Sequence, residues 1–371
     1  MAAPVRAQDD STPRVPSAEE APIAMLVDVT SGQILHERAA DRRFVPASIT
    51  KVMTLYHAFE LIEEGALDPR QVMTMRPEAW REWNGRGSTL WIGAKDRIPV
   101  EILMMGIANV SANDASIMLA EGQAGSLEGW LAGMNARTRE LGMEDSHFGT
   151  PNGWPDEGAT FTSARDLVTL ATAMIARHPR KFARYIGKPG FGYNGIAQNN
   201  HDPLIGRVRG ADGIKTGYTN EAGFGYLGTA ARDGQRLVLV VAGADRSAVR
   251  ARAARDYIEW GFSAFERKTL FDAGEIVARA QVQRGSARSV PLAADSSVAV
   301  SVPKGRAGEL TARIVYDGPL RAPIAAGDEV ATLVVEVPGM EPARIMLQAQ
   351  ESVGEAGVLA RLWNGLAGWF A

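Results

Sequence analysis

Apolar and polar positions along the chain fall into distinct successive patterns. Two short stretches, Ile23 to Val29 and Gln33 to Glu37, flank Thr30-Ser31-Gly32 and predict a β-hairpin. From Ser48 onward Val52, Met53, Leu55, Tyr56, Phe59 and Ile62 recur at helical spacing, and Gly65 stops the run. Residues 68–100 read as short strands and loops, with Trp80, Trp83 and Trp91 among glycines and Asn84-Gly85-Arg86-Gly87-Ser88 as a flexible loop. Helical runs follow around 99–122 and 126–141. Ser163-Ala164-Arg165-Asp166 opens another helix, with Ser163 and Asp166 in capping and packing roles. From 223 to 243 alternation gives way to the unbroken run Leu237 to Val241, the mark of a central strand covered on both faces. A helix over 245–262 carries Arg246, Arg250, Arg252 and Arg255.

After Glu266 the character changes. Alternating stretches at 276–280, 298–302, 311–316, 330–337 and 344–347, punctuated by proline and glycine, predict a small all-β domain. At the end, Val358, Leu359, Leu362, Trp363, Leu366, Trp369 and Phe370 share one helical stripe. That stripe is too short to span a bilayer; it suits an interfacial helix, or a helix docked on its own β domain. At the other end, residues 1–19 are rich in Ala, Pro, Asp and Ser and predict disorder. Val5-Arg6-Ala7 has the small-residue form of a signal-peptidase site, but no charged and apolar region precedes it. A missing or truncated secretion signal and an ordinary floppy terminus fit these residues equally.

Composition narrows the class. A chain of 371 residues is long for one core, so two domains are expected. The net charge of -3 gives no basic face for nucleic acid, and none is expected as a partner. With no cysteine, thiolate metal sites and disulfides are ruled out. None of the five histidines, His147 included, is spaced as a zinc pair or set in a triad motif. No metal and no cofactor is expected.

The candidate chemistry begins at Pro46-Ala47-Ser48-Ile49-Thr50-Lys51. At i and i+3 on a helix the Lys51 amine can reach the Ser48 hydroxyl, a poor nucleophile until a base takes its proton. Lysine becomes that base when burial or a second cation lowers its pKa. Read alone, the pair is also an ordinary helix start with a solvated lysine. Two further elements change the picture: Ser111-Ala112-Asn113 between two apolar helical runs, and Lys215-Thr216-Gly217 at the start of a strand. Two of the chain's seven lysines fall in these elements, and chance assembles all three in well under roughly 1 in 100 such chains.

This set resembles the signature of penicillin-binding proteins and class A β-lactamases. The likeness is closer to the D-alanyl-D-alanine carboxypeptidases of the peptidase S11 family. It runs through Ala24 to Asp28, Ser31 to Leu35, Pro46 to Thr54, His147 to Gly153, and Asp212-Gly213-Ile214-Lys215-Thr216-Gly217-Tyr218-Thr219 with Asn220 to Phe224, and covers roughly residues 20–350.

The resemblance implies an α/β plus all-β architecture. A DD-peptidase-like transpeptidase domain, an antiparallel sheet flanked by helices with a helical subdomain, would occupy 20–265. A β-sandwich-like domain would follow over 266–351, and an amphipathic membrane-associating helix over 352–371. It implies Ser48 as nucleophile, Lys51 as base, Ser111 as proton relay, Asn113 on the substrate amide and Lys215 setting the local potential. Thr216, Gly217, Tyr218 and Arg250 would bind substrate, Arg250 through the terminal carboxylate. The substrate would be a peptidoglycan stem pentapeptide ending in D-Ala-D-Ala, with β-lactams as inhibitors. The setting would be the periplasm, on the outer face of the inner membrane. Two departures stand out: Tyr218 replaces the histidine of many relatives, and Ala112 replaces the aspartate that β-lactamases favour. No glutamate is set to activate a deacylating water; Glu157 is the nearest, in a stretch that resembles the carboxypeptidase connecting loop. A β-lactamase, a DD-endopeptidase and a non-catalytic peptidoglycan-binding membrane-surface protein are the alternatives.

Overall fold

The computed structural model of the chain describes residues 13–357, which fall into two compact units. The first comprises residues up to Val27 and Leu35–Ser263; the second comprises Asp28–Ile34 and the chain from Ala264 on.

The first unit is built on a five-stranded sheet. Strands β1 (Ile23–Asp28) and β2 (Gln33–Arg38) form the predicted hairpin, with Gly32 at φ 74° in its turn. Helix α1 (Lys51–Glu63) ends at Glu64, and Gly65 follows at φ 72°. Next come β3 (Val72–Thr74), α2 (Pro77–Trp83) and β4 (Arg97–Pro99). The helical part is α3 (Val100–Val110), α4 (Asn113–Ala124), α5 (Leu127–Glu140), α6 (Ala164–Arg177) and α7 (Pro179–Tyr185). A small ribbon, β5 (Gly190–Tyr193) with β6 (Ile196–Asn199), precedes β7 (Ala211–Thr219), β8 (Gly223–Arg232), β9 (Gln235–Ala244) and α8 (Ser247–Ala264).

The sheet order is β2-β1-β9-β8-β7, so β9 is central, as its unbroken apolar run predicts. Leu237 to Val241 have no exposed surface. Each such side chain contributes about 1.5–3 kcal/mol when removed from water. Ser163 caps α6 by accepting a hydrogen bond from the Asp166 amide, while the Asp166 carboxylate accepts from Asp145 N and Ser146 Oγ. Both keep the structural roles their sequence predicts.

The second unit is all β. Strands β10 (Phe265–Phe271) and β13 (Val298–Pro303) pair antiparallel, with β11 (Ile276–Gln283) and β12 (Ser289–Ala293) between them in sequence. Strands β14 (Thr311–Val315), β15 (Leu320–Arg321), β16 (Glu329–Glu336) and β17 (Ala343–Ala349) complete a six-stranded sheet in the order β14-β16-β17-β12-β11-β15. Val300, Val302, Leu292, Leu333 and Leu347 share one buried core. The Gln33 side-chain amide donates to Ser301 O at 3.1 Å and its carbonyl accepts from Ser301 N at 2.6 Å, which satisfies a buried polar group from both sides.

Several expectations change. Residues 77–83, read as loop, form α2, started by Pro77 in its first turn. The loop 84–88 is anchored rather than free: Arg86 O accepts from Asn113 Nδ2 at 2.9 Å and Ser88 O from Asn113 N at 2.8 Å. Within the start expected to be disordered, residues 13–19 hold a defined position, because Arg38 donates to the carbonyls of Pro16 and Ser17 at 3.0 Å; residues 1–12 lie outside the described part. The terminal helix expected from 352 does not begin there. Val353 bridges to Ile324 and Glu355 to Gly285 in extended backbone, with Gly354 and Gly357 disfavouring helix. Residues 358–371 lie outside the described residues. No helix among the described residues is long and apolar enough to cross a membrane.

Candidate active site

Ser48 sits in a single 3-10 turn, Ala47–Thr50, that leads directly into α1. Ala47 before it adopts φ 50°, a left-handed conformation that costs a non-glycine residue energy and is held only where the surroundings demand it. Those surroundings are two glycines. A Cβ on Gly153 would collide with the Ala47 carbonyl, and one on Gly217 of β7 would meet the Pro46 carbonyl. Absence of side chains at 153 and 217 therefore lets a loop and a strand close on the turn from either side.

One helical turn later Lys51 is fully buried. Its Nζ donates to Ser48 Oγ at 2.9 Å and to Asn152 O at 2.6 Å. Burial pushes the amine well below its usual value, the Lys215 charge pushes the same way, and Asp114 opposes them. These are the conditions under which a lysine is neutral and accepts a proton.

Ser111 closes α3 at φ 62° and faces the same cleft as Ser48. Asn113 opens α4, fixed through the 84–88 backbone as described. The neighbouring Asp114 carboxylate accepts the amides of Leu90 at 2.8 Å and Ile92 at 3.2 Å, which fixes the chain just beyond that loop. Burial raises the Asp114 pKa while these amides lower it.

Lys215 lies in the middle of β7, buried, with its amine pushed down to about 7 by burial and then by the Arg250 guanidinium. Arg250, on α8, is also buried, and its Nε has no hydrogen-bond partner. Such a group costs free energy unless something fills it, and a planar carboxylate matches its geometry. Tyr218 is half exposed, stacked on Phe224 with ring centroids 4.1 Å apart and its hydroxyl on Asn220.

Two clefts meet at Ser48. One, of about 460 Å³, is lined by Ser48, Ser111, Thr216, Gly217, Tyr218 and Arg250, together with Ser88, His201, Phe224 and Ser247. The other, of about 350 Å³, is lined by Ser48, Asn113, Asn152, Trp154 and Asn220 among others. All nine sequence-predicted residues thus gather in one region: seven on the clefts, and Lys51 and Lys215 buried in the wall beneath. Glu157 is exposed and lines neither. Among the described residues no cluster of His, Cys, Asp or Glu could hold a metal ion.

Sequence reasoning missed four groups. His201 lines the first cleft, where desolvation and the charges of Lys215 and Arg250 lower its pKa. Asp202 is buried beside it, accepts the Tyr226 hydroxyl at 3.0 Å, and is the anion nearest Lys215 and Arg250 in effect. Asn152 contributes its carbonyl to Lys51, and Trp154 walls the second cleft. Only Asn152, inside the connecting segment, carried any signal.

Comparison with known proteins gives the family. The family description "D-alanyl-D-alanine carboxypeptidase", peptidase S11, matches residues 9–246, and "Penicillin-binding protein 5, C-terminal domain" matches residues 265–355. The chain is 31% identical to D-alanyl-D-alanine carboxypeptidase DacA of Haemophilus influenzae over 98% of this chain and 92% of that one. The crystal structure of penicillin binding protein 5 from Haemophilus influenzae superposes with a TM-score of 0.81 at 30% identity, over 92% of this chain and all of that one. Penicillin-binding protein D2 from Listeria monocytogenes, in its ampicillin-bound form, is 27% identical with a TM-score of 0.60, over 67% of this chain and all of that one. With the motif set, the two-unit architecture and these likenesses together, the chain belongs to the D-alanyl-D-alanine carboxypeptidase family, peptidase S11.

Proposed function

We propose that this protein is a serine D-Ala-D-Ala carboxypeptidase that removes the terminal D-alanine from peptidoglycan stem pentapeptides. The observation that carries the reading is the fully buried Lys51 amine 2.9 Å from Ser48 Oγ, at the junction of the two clefts.

Ser48 Oγ attacks the carbonyl carbon of the penultimate D-alanine while Lys51 Nζ takes its proton. The carbonyl oxygen becomes an oxyanion, stabilised by the backbone amides of Ser48 and Tyr218. Asn113 holds the substrate amide. The terminal carboxylate lies toward Thr216 and Arg250, with the Lys215 charge behind them. As the peptide C–N bond breaks, the proton held on Lys51 passes through Ser111 to the departing amine, which leaves Lys51 neutral again, and free D-alanine leaves through the larger cleft. Water then attacks the Ser48 ester while Lys51 accepts its proton; the acyl C–O bond breaks, Lys51 returns that proton to Ser48 Oγ, and the shortened peptide leaves. A β-lactam enters the same first step and leaves Ser48 acylated.

Part of the same proposal is the setting: the periplasmic face of the inner membrane, held there by the apolar side chains of residues 358–371. The reading is tested by D-alanine release from a stem-pentapeptide mimic, comparing the protein with Ser48→Ala. Release that disappears in the variant supports it. Release that persists in the variant, or none from the unaltered protein, overturns it.

A further inference from the structure

The loop that follows α2 and the loop at 150–155 both border the second cleft, and one side chain joins them. The guanidinium of Arg86 lies 4.9 Å from the ring centre of Trp83 and 4.7 Å from that of Trp154. The two indoles stand at 90° with centroids 5.7 Å apart, so the cation occupies the corner they make. A planar guanidinium stacks on indole faces more favourably than any other cationic side chain. Glu82 Oε1 accepts from Arg86 Nη1 at 2.9 Å, which fixes the head of the side chain and offsets its charge.

Each loop pinned by this corner supports one reacting side chain. Arg86's own carbonyl accepts from Asn113 Nδ2 at 2.9 Å. Trp154 N donates to Asn152 Oδ1 at 3.0 Å, and the Asn152 carbonyl receives Lys51 Nζ at 2.6 Å. Between the two lies Gly87. A Cβ there would stand 2.8 Å from Asn113 Nδ2 and 2.9 Å from the Trp154 ring, so amide and ring press on the same backbone point with no room between them.

We propose that Arg86 is a positioning residue for acylation: seated between Trp83 and Trp154, it locks the two loops so that Asn113 and the Asn152 carbonyl are held in register with Ser48 and Lys51. This rests on the roles assigned above to Asn113 and Lys51. Side chains misplaced by an ångström or less are enough to slow an enzyme about a hundredfold, and nothing else in the loop 84–88 reaches Trp154 with a charge.

The test measures acylation of Ser48 by a fluorescent penicillin in Arg86→Ala, Arg86→Lys, Trp154→Ala and Trp154→Phe, with thermal unfolding alongside. Arg86→Ala and Trp154→Ala should acylate at least about tenfold more slowly. Arg86→Lys and Trp154→Phe, which keep a cation and an aromatic face, should recover part of the loss. The acid limb of the rate profile should also move to lower pH in the two alanine variants, because an ammonium that loses its carbonyl acceptor gives up its proton more easily. A packing role alone would lower the melting temperature and leave that limb in place. Unaltered acylation in folded Arg86→Ala and Trp154→Ala, or equal losses in the alanine and conservative variants, overturns the proposal. Penicillin acylation does not depend on which peptide is the substrate. Failure here is therefore distinguishable from failure of the carboxypeptidase reading, which is judged by D-alanine release from the unaltered protein.

Discussion

Lys51 Nζ lies 2.9 Å from Ser48 Oγ with its whole side chain out of water, and its second acceptor is a backbone carbonyl rather than a carboxylate. A lysine paired with a carboxylate would be held charged. Here burial and the Lys215 charge both favour the neutral amine, against a weaker pull from Asp114.

Lys51→Ala should therefore lower the rate of Ser48 acylation by about 10²–10⁴-fold, the usual contribution of a positioned base. Lys51→Arg should do as badly, since a guanidinium does not give up its proton. Because the amine works only when neutral, acylation should fall as pH drops through its depressed pKa, and the residual rate of Lys51→Ala should lack that acid limb. Stopped-flow acylation across pH reads both. A wild-type rate in Lys51→Ala would remove Lys51 from the mechanism.

Lys215 makes a separate pH prediction. Its amine is pushed down to about 7, so the charge is present below that pH and disappears above it. In the proposed role that charge favours the substrate's terminal carboxylate, so KM for a D-Ala-D-Ala peptide should rise as pH increases through about 7. In Lys215→Met this rise should be absent. The same substitution removes one cause of the low Lys51 pKa, so the acid limb of acylation should shift to higher pH. Steady-state kinetics over pH 5–9 or so would show both movements, and a limb that stays put would mean the two lysines are not coupled.

How much of this was legible beforehand depends on the distance along the chain over which each feature is decided. Ser48 and Lys51 were readable because a three-residue separation on a helix settles their contact locally. The central position of β9 was readable because a strand buried on both faces loses its alternation. Asp202 was not, since its burial under Tyr226 is decided by β8, more than twenty residues on. The loop 84–88 reads as flexible because its glycines speak locally, while Asn113 anchors it from the start of α4 and Asp114 fixes Leu90 just beyond it. α2 was missed because seven residues bearing two tryptophans and a proline carry too little periodicity. β10 and β15 are hard to read for related reasons: β10 is largely solvent-facing, β15 has two residues, and pairing across the sheet defines them.

The apolar stripe of residues 358–371 predicts vesicle binding. The full chain should sediment with phospholipid vesicles, and a chain ending at Gly357 should stay in solution. Arg361 is the one cation in that segment, so binding should rest on apolar burial and survive added salt. Equal partitioning of both chains would favour the other reading of the stripe, a helix docked on its own β domain.

Gly153 tests how the nucleophile is seated. It combines φ 72° with a position where a Cβ would strike the Ala47 carbonyl and come 3.0 Å from Ser48 N. Gly153→Ala must therefore bear backbone strain of about 1–3 kcal/mol and also push the Ser48 turn away. Gly158 is the matching control, with φ 86° and open space where its Cβ would go. Both variants should lose stability through that strain, Gly153→Ala by more because of its clash with the Ala47 carbonyl, read as unfolding midpoints. Only Gly153→Ala should also lose acylation, by more than about tenfold, because only there does the added methyl move the serine relative to Lys51 and β7. Equal acylation by the two variants would mean that the left-handed Ala47 turn holds Ser48 in place without help from the 150–155 loop.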